Sequence, residues 1–448
     1  MEFTPWNLFT DLGLIFLLLI VGKLLRAKVK PVQVLFLPAS IIAGLLALLL
    51  GPNGVGIIPF SDQIATYPSI LIAVIFASLP LGQTFDLSSI AGRVGALFSY
   101  SLAMYVMMWG AGLLFALAVL GLIWDLPGGF GLMLASGFVG GHGTAAAVGT
   151  AFEGLGWQEA QSLAFTSATV GVIAAILGGL ALTQWGARTG RTTILADFKD
   201  LPVELRTGLV PRKRRESIGE GTVSPVSLEP LALHLGLILM AATGAYYLAQ
   251  GGEALLPQLA IPVFAVAYIV GIILQFVLVR MRAAEYVDKD TINDITGTST
   301  DLLVAFGIAA IVPTVVASYL IPLILLLLFG LGYCFVLFRF LAPRVFSEYA
   351  FERGIFTWGW STGAVAMGIA LLRIVDPKLE SKTLDDYGLA YVPIAPVEVA
   401  MVSFAPFLIA SGFSWPFIAV TLGGGIAILV IAKLAGWWGD NSSFKDSS

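Results

Sequence analysis

The sequence predicts an all-α polytopic membrane protein: two inverted-topology repeats of five transmembrane helices, each with a re-entrant hairpin, followed by an extra C-terminal helix. Three observations predict it. Of 448 residues, 58% are apolar and only 12% are charged, with a mean hydropathy of +0.92, which is more hydrocarbon than a soluble domain can bury. The apolar residues gather into runs that approach the roughly 20 residues needed to cross a bilayer. Two glycine-rich stretches occupy matching places in the two halves of the chain.

The first repeat, residues 1–185, holds spans expected over Trp6–Leu25, Leu35–Leu50, Tyr67–Gly82, Ala96–Ile123 and Ala160–Trp185. The cations near the first span follow its apolar run, so it reads as a retained helix and not as a signal peptide. A polar linker, 186–230, carries four consecutive basic residues from Arg212 to Arg215. The second repeat, 231–411, holds spans over Leu231–Gln250, Leu259–Val279, Ile295–Val312, Ser318–Leu341 and Gly388–Ser411. Residues 412–448 supply the extra helix, Trp415–Ala435, and a tail. Lys and Arg are retained on the cytoplasmic side during insertion. With the N-terminus outside and the linker cytoplasmic, all 24 basic residues fall on the inner side.

Two further apolar segments, 130–156 and 354–376, cannot be complete crossings without putting the later basic loops outside. Both therefore read as re-entrant hairpins. The first contains Gly137, Gly140, Gly141, His142, Gly143 and Thr144; the second contains Gly354, Gly359, Ser361, Thr362, Gly363 and Gly368. Glycine permits unwound backbone, and such backbone persists at membrane depth only inside protein or beside a wet cavity. Free amides and carbonyls at a hairpin tip can hold an anion and a small cation. Thr362 lies 218 residues after Thr144, and Pro262 lies 224 after Pro38, a near-constant spacing that argues for duplication. An odd number of spans per copy inverts the second, as in many secondary transporters.

Other chemistry is limited. One cysteine, Cys334, excludes an internal disulfide or thiolate metal site. The two histidines, His142 and His234, form no HExxH pair, and no basic arm suggests nucleic acid. No nucleophile and base pair can be assigned, so the chain does not read as an enzyme.

The runs Gly140-Gly-His-Gly-Thr-Ala-Ala146, Leu37-Pro-Ala-Ser-Ile-Ile-Ala-Gly44 and Phe76-Ala-Ser-Leu-Pro-Leu-Gly82, with the second glycine-rich hairpin, resemble the bacterial sodium/glutamate symporter family over roughly residues 8–411. The resemblance implies sodium-driven uptake of L-glutamate across the cell (inner) membrane. It also implies two inverted five-helix domains around a central cytoplasmic loop, a homodimer and an elevator-like movement. Sodium is then the coupling ion, with no other cofactor. Trp358 and Trp360 in the second hairpin depart from the small-residue pattern expected there.

The substrate-binding candidates are Gly140, Gly141, His142, Gly143, Thr144, Ser361, Thr362, Gly363 and Arg373. Arg373 is included because guanidinium pairs with a carboxylate through two parallel hydrogen bonds; its other reading is a positive-inside anchor. His142 is either a ligand or a buried imidazole satisfied by its surroundings. The sodium candidates are Thr144, Thr298, Ser299, Asp301, Thr362 and Glu398. Glu398 stands well inside the tenth span, where an ionisable group is a functional hypothesis by default. At least two sodium sites are expected. Left open are a dicarboxylate or other small organic anion as cargo, protons in place of sodium, and a passive channel.

Overall fold

The computed structural model describes residues 3–82, 92–192, 202–215, 217–255 and 261–439. Parts of the expected linker (193–201 and 216), the start of the seventh span (259–260) and the end of the tail (440–448) lie outside the described residues. Every regular element among the described residues is helical. The principal helices are α1 (Pro5–Lys28), α2 (Ala39–Leu50), α3 (Tyr67–Ser78), α4 (Gly92–Ala118), α5 (Leu132–Gly137), α6 (Gly141–Gly154), α7 (Ala160–Arg188) and α8 (Pro230–Leu255). They continue with α9 (Val263–Arg280), α10 (Lys289–Ala309), α11 (Leu320–Val336), α12 (Ala350–Thr362), α13 (Val365–Val375), α14 (Thr383–Ala410) and α15 (Ser414–Leu434).

Among the described residues, eight helices are long and apolar enough to cross a membrane: α1, α4, α7, α8, α9, the α11 segment to Val345, α14 and α15. The expected second and third spans are shorter. Helices α2 and α3 have 12 residues each, about 18 Å of rise against a hydrocarbon core of roughly 30 Å. The chain around them is broken by Pro38 before α2, Gly51 after it and Pro68 in the first turn of α3.

Local chemistry fixes the ends. Thr4 and Asn7 exchange a capping box at the start of α1, and Arg26 and Lys28 complement its C-terminus. Asp11, fully buried in α1, accepts hydrogen bonds from Ser61 N at 3.0 Å and from the Tyr67 hydroxyl at 2.6 Å. Asp288 caps α10 by accepting from Thr291 N at 2.8 Å.

The helices pack as two bundles. One joins α1, α2 and α3 to α8, α9 and α10. The other joins α4–α7 to α11–α15 and holds the largest apolar core. Each half of the sequence thus gives three helices to the first bundle and the remainder to the second. The bundles meet where α6 and α7 lie on α3 and α10. Close approach there needs small residues: a Cβ on Gly307 of α10 would lie 2.2 Å from the Phe165 ring of α7.

Both glycine-rich segments double back within the second bundle. The stretch before α5 returns to the end of α6, so that a Cβ on Gly129 would stand 2.3 Å from the Phe152 ring. In the other pair Gly359 of α12 packs backbone to backbone on Gly368 of α13, where a Cβ would meet Gly368 N at 2.6 Å.

Candidate functional site

The two doubled-back segments turn toward each other. Gly141 opens α6 at φ +62°, and a Cβ built on it would lie 3.2 Å from the carbonyl oxygen of Gly363, at the turn between α12 and α13. Helix α7 runs beneath both turns. A Cβ on its Gly171 would fall 2.4 Å from the Thr362 carbonyl oxygen, and one on Gly363 would fall 2.9 Å from Ala175. Trp358, one turn before the break, donates its indole N–H to the Ala175 carbonyl at 3.1 Å, with Gly178 making room for the ring. The unexpected tryptophan therefore ties the second pair to the same helix that supports the first.

These turns expose unsatisfied backbone. The first amides of a helix and the last carbonyls have no partner within it, and the aligned peptides make the N-terminus positive and the C-terminus negative. Helices α6 and α13 present N-termini at the meeting point, while α5 and α12 present C-termini. Gly140 and Gly143 are half-buried and Ala366 is exposed, whereas Gly141, His142 and Thr144 are buried and the Gly140 amide donates to the Ala135 carbonyl at 3.1 Å.

The side chains divide. His142 is buried and its Nε2 lies 3.2 Å from Thr169 Oγ1 on α7. Thr169 donates its own hydrogen to the Phe165 carbonyl at 2.8 Å, so the network assigns His142 Nε2 as the donor. Thr144 is buried against Gly140. The Thr362 hydroxyl bonds to the Trp358 carbonyl at 2.6 Å, and Ser361 bonds to the same carbonyl at 3.2 Å. The Thr362 hydrogen is committed to its own helix, and the Ser361 hydroxyl also lies 3.6 Å from Cys334 Sγ on α11. The carbonyl of Thr362, not its hydroxyl, faces Gly171.

The remaining candidates lie elsewhere. Arg373 sits ten residues beyond Gly363, about 15 Å along α13 at 1.5 Å per residue, and donates to the Pro377 carbonyl at 3.1 Å. Thr298, Ser299 and Asp301 belong to α10 in the first bundle. Thr298 and Asp301 line a polar cleft of about 650 Å³ with Asn293, Asp294, Thr296 and Thr300, and Asp301 bonds to Ser40. Ser299 is buried and bonds to the Ile295 carbonyl at 2.9 Å. Glu398 on α14 accepts from the Tyr391 hydroxyl at 2.6 Å. No group of three or more His, Cys, Asp or Glu that could hold a metal ion occurs among the described residues. A cation at the turns would rest on carbonyl and hydroxyl oxygens, which suits a hard monovalent ion.

Two features escaped the sequence reading. Thr169 and Gly171 were absorbed into an ordinary apolar span, although Thr166-Ser-Ala-Thr169 followed by Gly171 is the small and polar pattern that helix interfaces in membranes favour. Arg353, grouped with the cytoplasmic cations, is 1% exposed and pairs with Asp386 at 2.7 Å, clamping the foot of α12 to α14.

A model of the sodium/glutamate symporter family matches residues 6–350. The chain belongs to the sodium/glutamate symporter family. Its members are transporters, not enzymes, and with eight apolar helices of crossing length this symporter is a multi-pass membrane protein. The matched stretch includes Gly140–Thr144 and stops at residue 350, so α12 to α15 lie beyond it. No curated protein matches the sequence. Among solved structures, the sodium proton antiporter MjNhaP1 from Methanocaldococcus jannaschii is 18% identical, over 96% of this chain and 100% of that one, at a TM-score of 0.36.

Proposed function

We propose that this symporter couples inward sodium flux to uptake of L-glutamate by alternating access, with the substrate held where the two doubled-back segments meet. The observation that carries the reading is the approach of Gly141 to Gly363, which brings the N-termini of α6 and α13 to one place. Two positive helix ends can take two carboxylates through backbone amides. The adjoining C-termini of α5 and α12, with Thr144, offer sodium its oxygens. Sodium bound there organises the turns that complete the anion site, and that linkage is the coupling. Arg373 is not part of this proposed site.

The segments 130–156 and 354–376 are then re-entrant hairpins entering from opposite faces of the inner membrane, within two inverted repeats. The N-terminus is outside, the linker 186–230 is cytoplasmic, and the protein works as a homodimer. The second bundle, which contains both hairpins, is the part that carries cargo past the first. Glutamate bears one net negative charge, so moving it inward against a cell-negative potential costs about 2.3 kcal/mol per 100 mV. One sodium cancels that cost. A second cation makes the potential assist uptake.

The test is uptake of labelled L-glutamate by proteoliposomes with and without an inward sodium gradient. Accumulation only with the gradient supports the reading; equal uptake in both refutes it. Competition by aspartate and malate decides between glutamate and a dicarboxylate as the preferred cargo.

A further inference from the structure

Glu398 is an acidic side chain inside a span of the cargo-carrying bundle, and its surroundings are unlike those of the hairpin tips. It projects from α14, a 28-residue helix with Pro393, Pro396 and Pro406 in its interior. Its Oε2 accepts the Tyr391 hydroxyl at 2.6 Å, and its backbone carbonyl is approached by the Tyr105 hydroxyl of α4 at 3.5 Å. Among the described side chains, the ionisable groups on the elements packed around α14 supply no counter-charge. Tyr387 and Tyr391 share its own helix, and Tyr105 is the one that faces it from α4. On α12, Arg353 is closed on Asp386 at 2.7 Å. His142 and Glu153 of α6 and Lys433 of α15 make no hydrogen bond or ion pair to Glu398.

An ionised carboxylate in a membrane span needs a positive partner, and no described side chain provides one. The partner must come from solution. A hard metal ion gathers about six oxygens, and Glu398 belongs to no group of three or more His, Cys, Asp or Glu among the described residues; the hydrogen-bond partner of its carboxylate is the neutral Tyr391 hydroxyl. A proton needs a single lone pair, and Tyr391 already occupies the other oxygen. We infer that Glu398 is the proton-binding site of a sodium- and proton-coupled cycle, in which one H⁺ joins the carboxylate from the outer solution, crosses with the loaded bundle and leaves to the cytoplasm.

The connection to the cargo site is a ladder of rings. Tyr391 stacks on Tyr387 with centroids 5.6 Å apart, and Tyr387 meets Trp360 edge to face at 5.8 Å. Trp360 is buried in the last turn of α12, two residues before Thr362. The hydrogen-bond state of Glu398 therefore bears on the turn that builds the second hairpin tip. One sodium and one proton per glutamate give the net positive charge that lets the potential drive uptake.

This inference rests on the sodium-driven glutamate reading, and the experiment measures that first. In proteoliposomes with the potential clamped and a fixed sodium gradient, the steady-state accumulation of labelled glutamate is compared with and without an inward pH gradient of one unit. One coupled proton raises the accumulation ratio about tenfold, since a tenfold gradient is about 1.4 kcal/mol. An entrapped pH dye reports acidification that requires both glutamate and sodium. Glu398→Gln, reconstituted at the same protein density, loses both the tenfold gain and the acidification. Tyr391→Phe, which keeps the carboxylate, moves the pH of half-maximal uptake. Sodium-driven accumulation in the wild type that is indifferent to the pH gradient overturns the inference and leaves the sodium reading standing. A Tyr391→Phe profile identical to wild type, or a Glu398→Gln protein that still acidifies the lumen, also overturns it.

Discussion

Gly141→Ala tests the meeting of the hairpins directly. Gly141 sits at φ +62°, a left-handed conformation that costs a residue with a Cβ about 1–2 kcal/mol. The new methyl carbon would also stand 3.2 Å from the Gly363 carbonyl oxygen, close enough that the opposite tip must yield by a few tenths of an ångström. At about 1.4 kcal/mol per tenfold, the backbone term alone reduces the population with correctly joined tips by about 5- to 30-fold. The effect belongs to glutamate and sodium binding, because the strain is local to the tips, and it appears as a rise in KM of that size for uptake into proteoliposomes. Two neighbours in the same helix calibrate it. A Cβ on Gly143 meets only Ile72 Cδ1 at an ordinary 3.7 Å, and one on Gly154 has nothing within 4 Å. Both alanines add helix propensity, up to about 1 kcal/mol, and leave KM within about twofold of wild type, less than 0.5 kcal/mol. A wild-type KM for Gly141→Ala, or a larger loss at Gly154 than at Gly141, refutes the geometry from which the binding site is argued.

Three further outcomes are expected. Arg353→Met removes the 2.7 Å ion pair to Asp386 at the foot of α12, and the loss of about 3–5 kcal/mol shows as a lowered midpoint of thermal unfolding in detergent; pairing it with Asp386→Leu recovers much of that loss. Thr169→Val removes the acceptor of the His142 N–H, 3.2 Å away, and destabilises the first tip by about 1–3 kcal/mol, read as weaker glutamate binding that His142→Leu in the same chain does not worsen. Asp288→Ala removes the cap of α10 and the acceptor for Glu220 N at 3.2 Å, costing about 1 kcal/mol and exposing Arg212–Arg215 to faster cleavage by trypsin. Burial opposes the Asp288 charge, but bonds from Thr291 and Glu220 outweigh it and hold the carboxyl below its ordinary value. Its contribution is therefore full above the ordinary aspartate pKa and is lost as pH falls through the depressed folded value, when an acid protease should reach the linker.

What a sequence can disclose here follows from how each feature is encoded. The long spans were legible because hydrocarbon exposed to lipid must be continuous over the bilayer core, and α1, α8, α9 and α15 obey that rule with outward-facing leucine and isoleucine. The break between α5 and α6 was legible because Gly140–Thr144 packs four small or polar residues around a histidine where an apolar run should continue. The floor beneath it was not. A glycine such as Gly171 looks the same in a linear pattern whether its missing side chain admits lipid, another helix or the Thr362 carbonyl, and only the packed arrangement shows the last. Arg353 failed for the complementary reason. Loop position predicts that a cation stays in water, but Asp386 lies 33 residues away, and a partner at that separation leaves no local mark. The same asymmetry explains Glu398, whose place inside an apolar span was legible from the residues around it, while the absence of a counter-charge among the described side chains was not. Periodicity reports what surrounds a residue along its own helix, and the chemistry of this transporter is decided by what reaches it from the others.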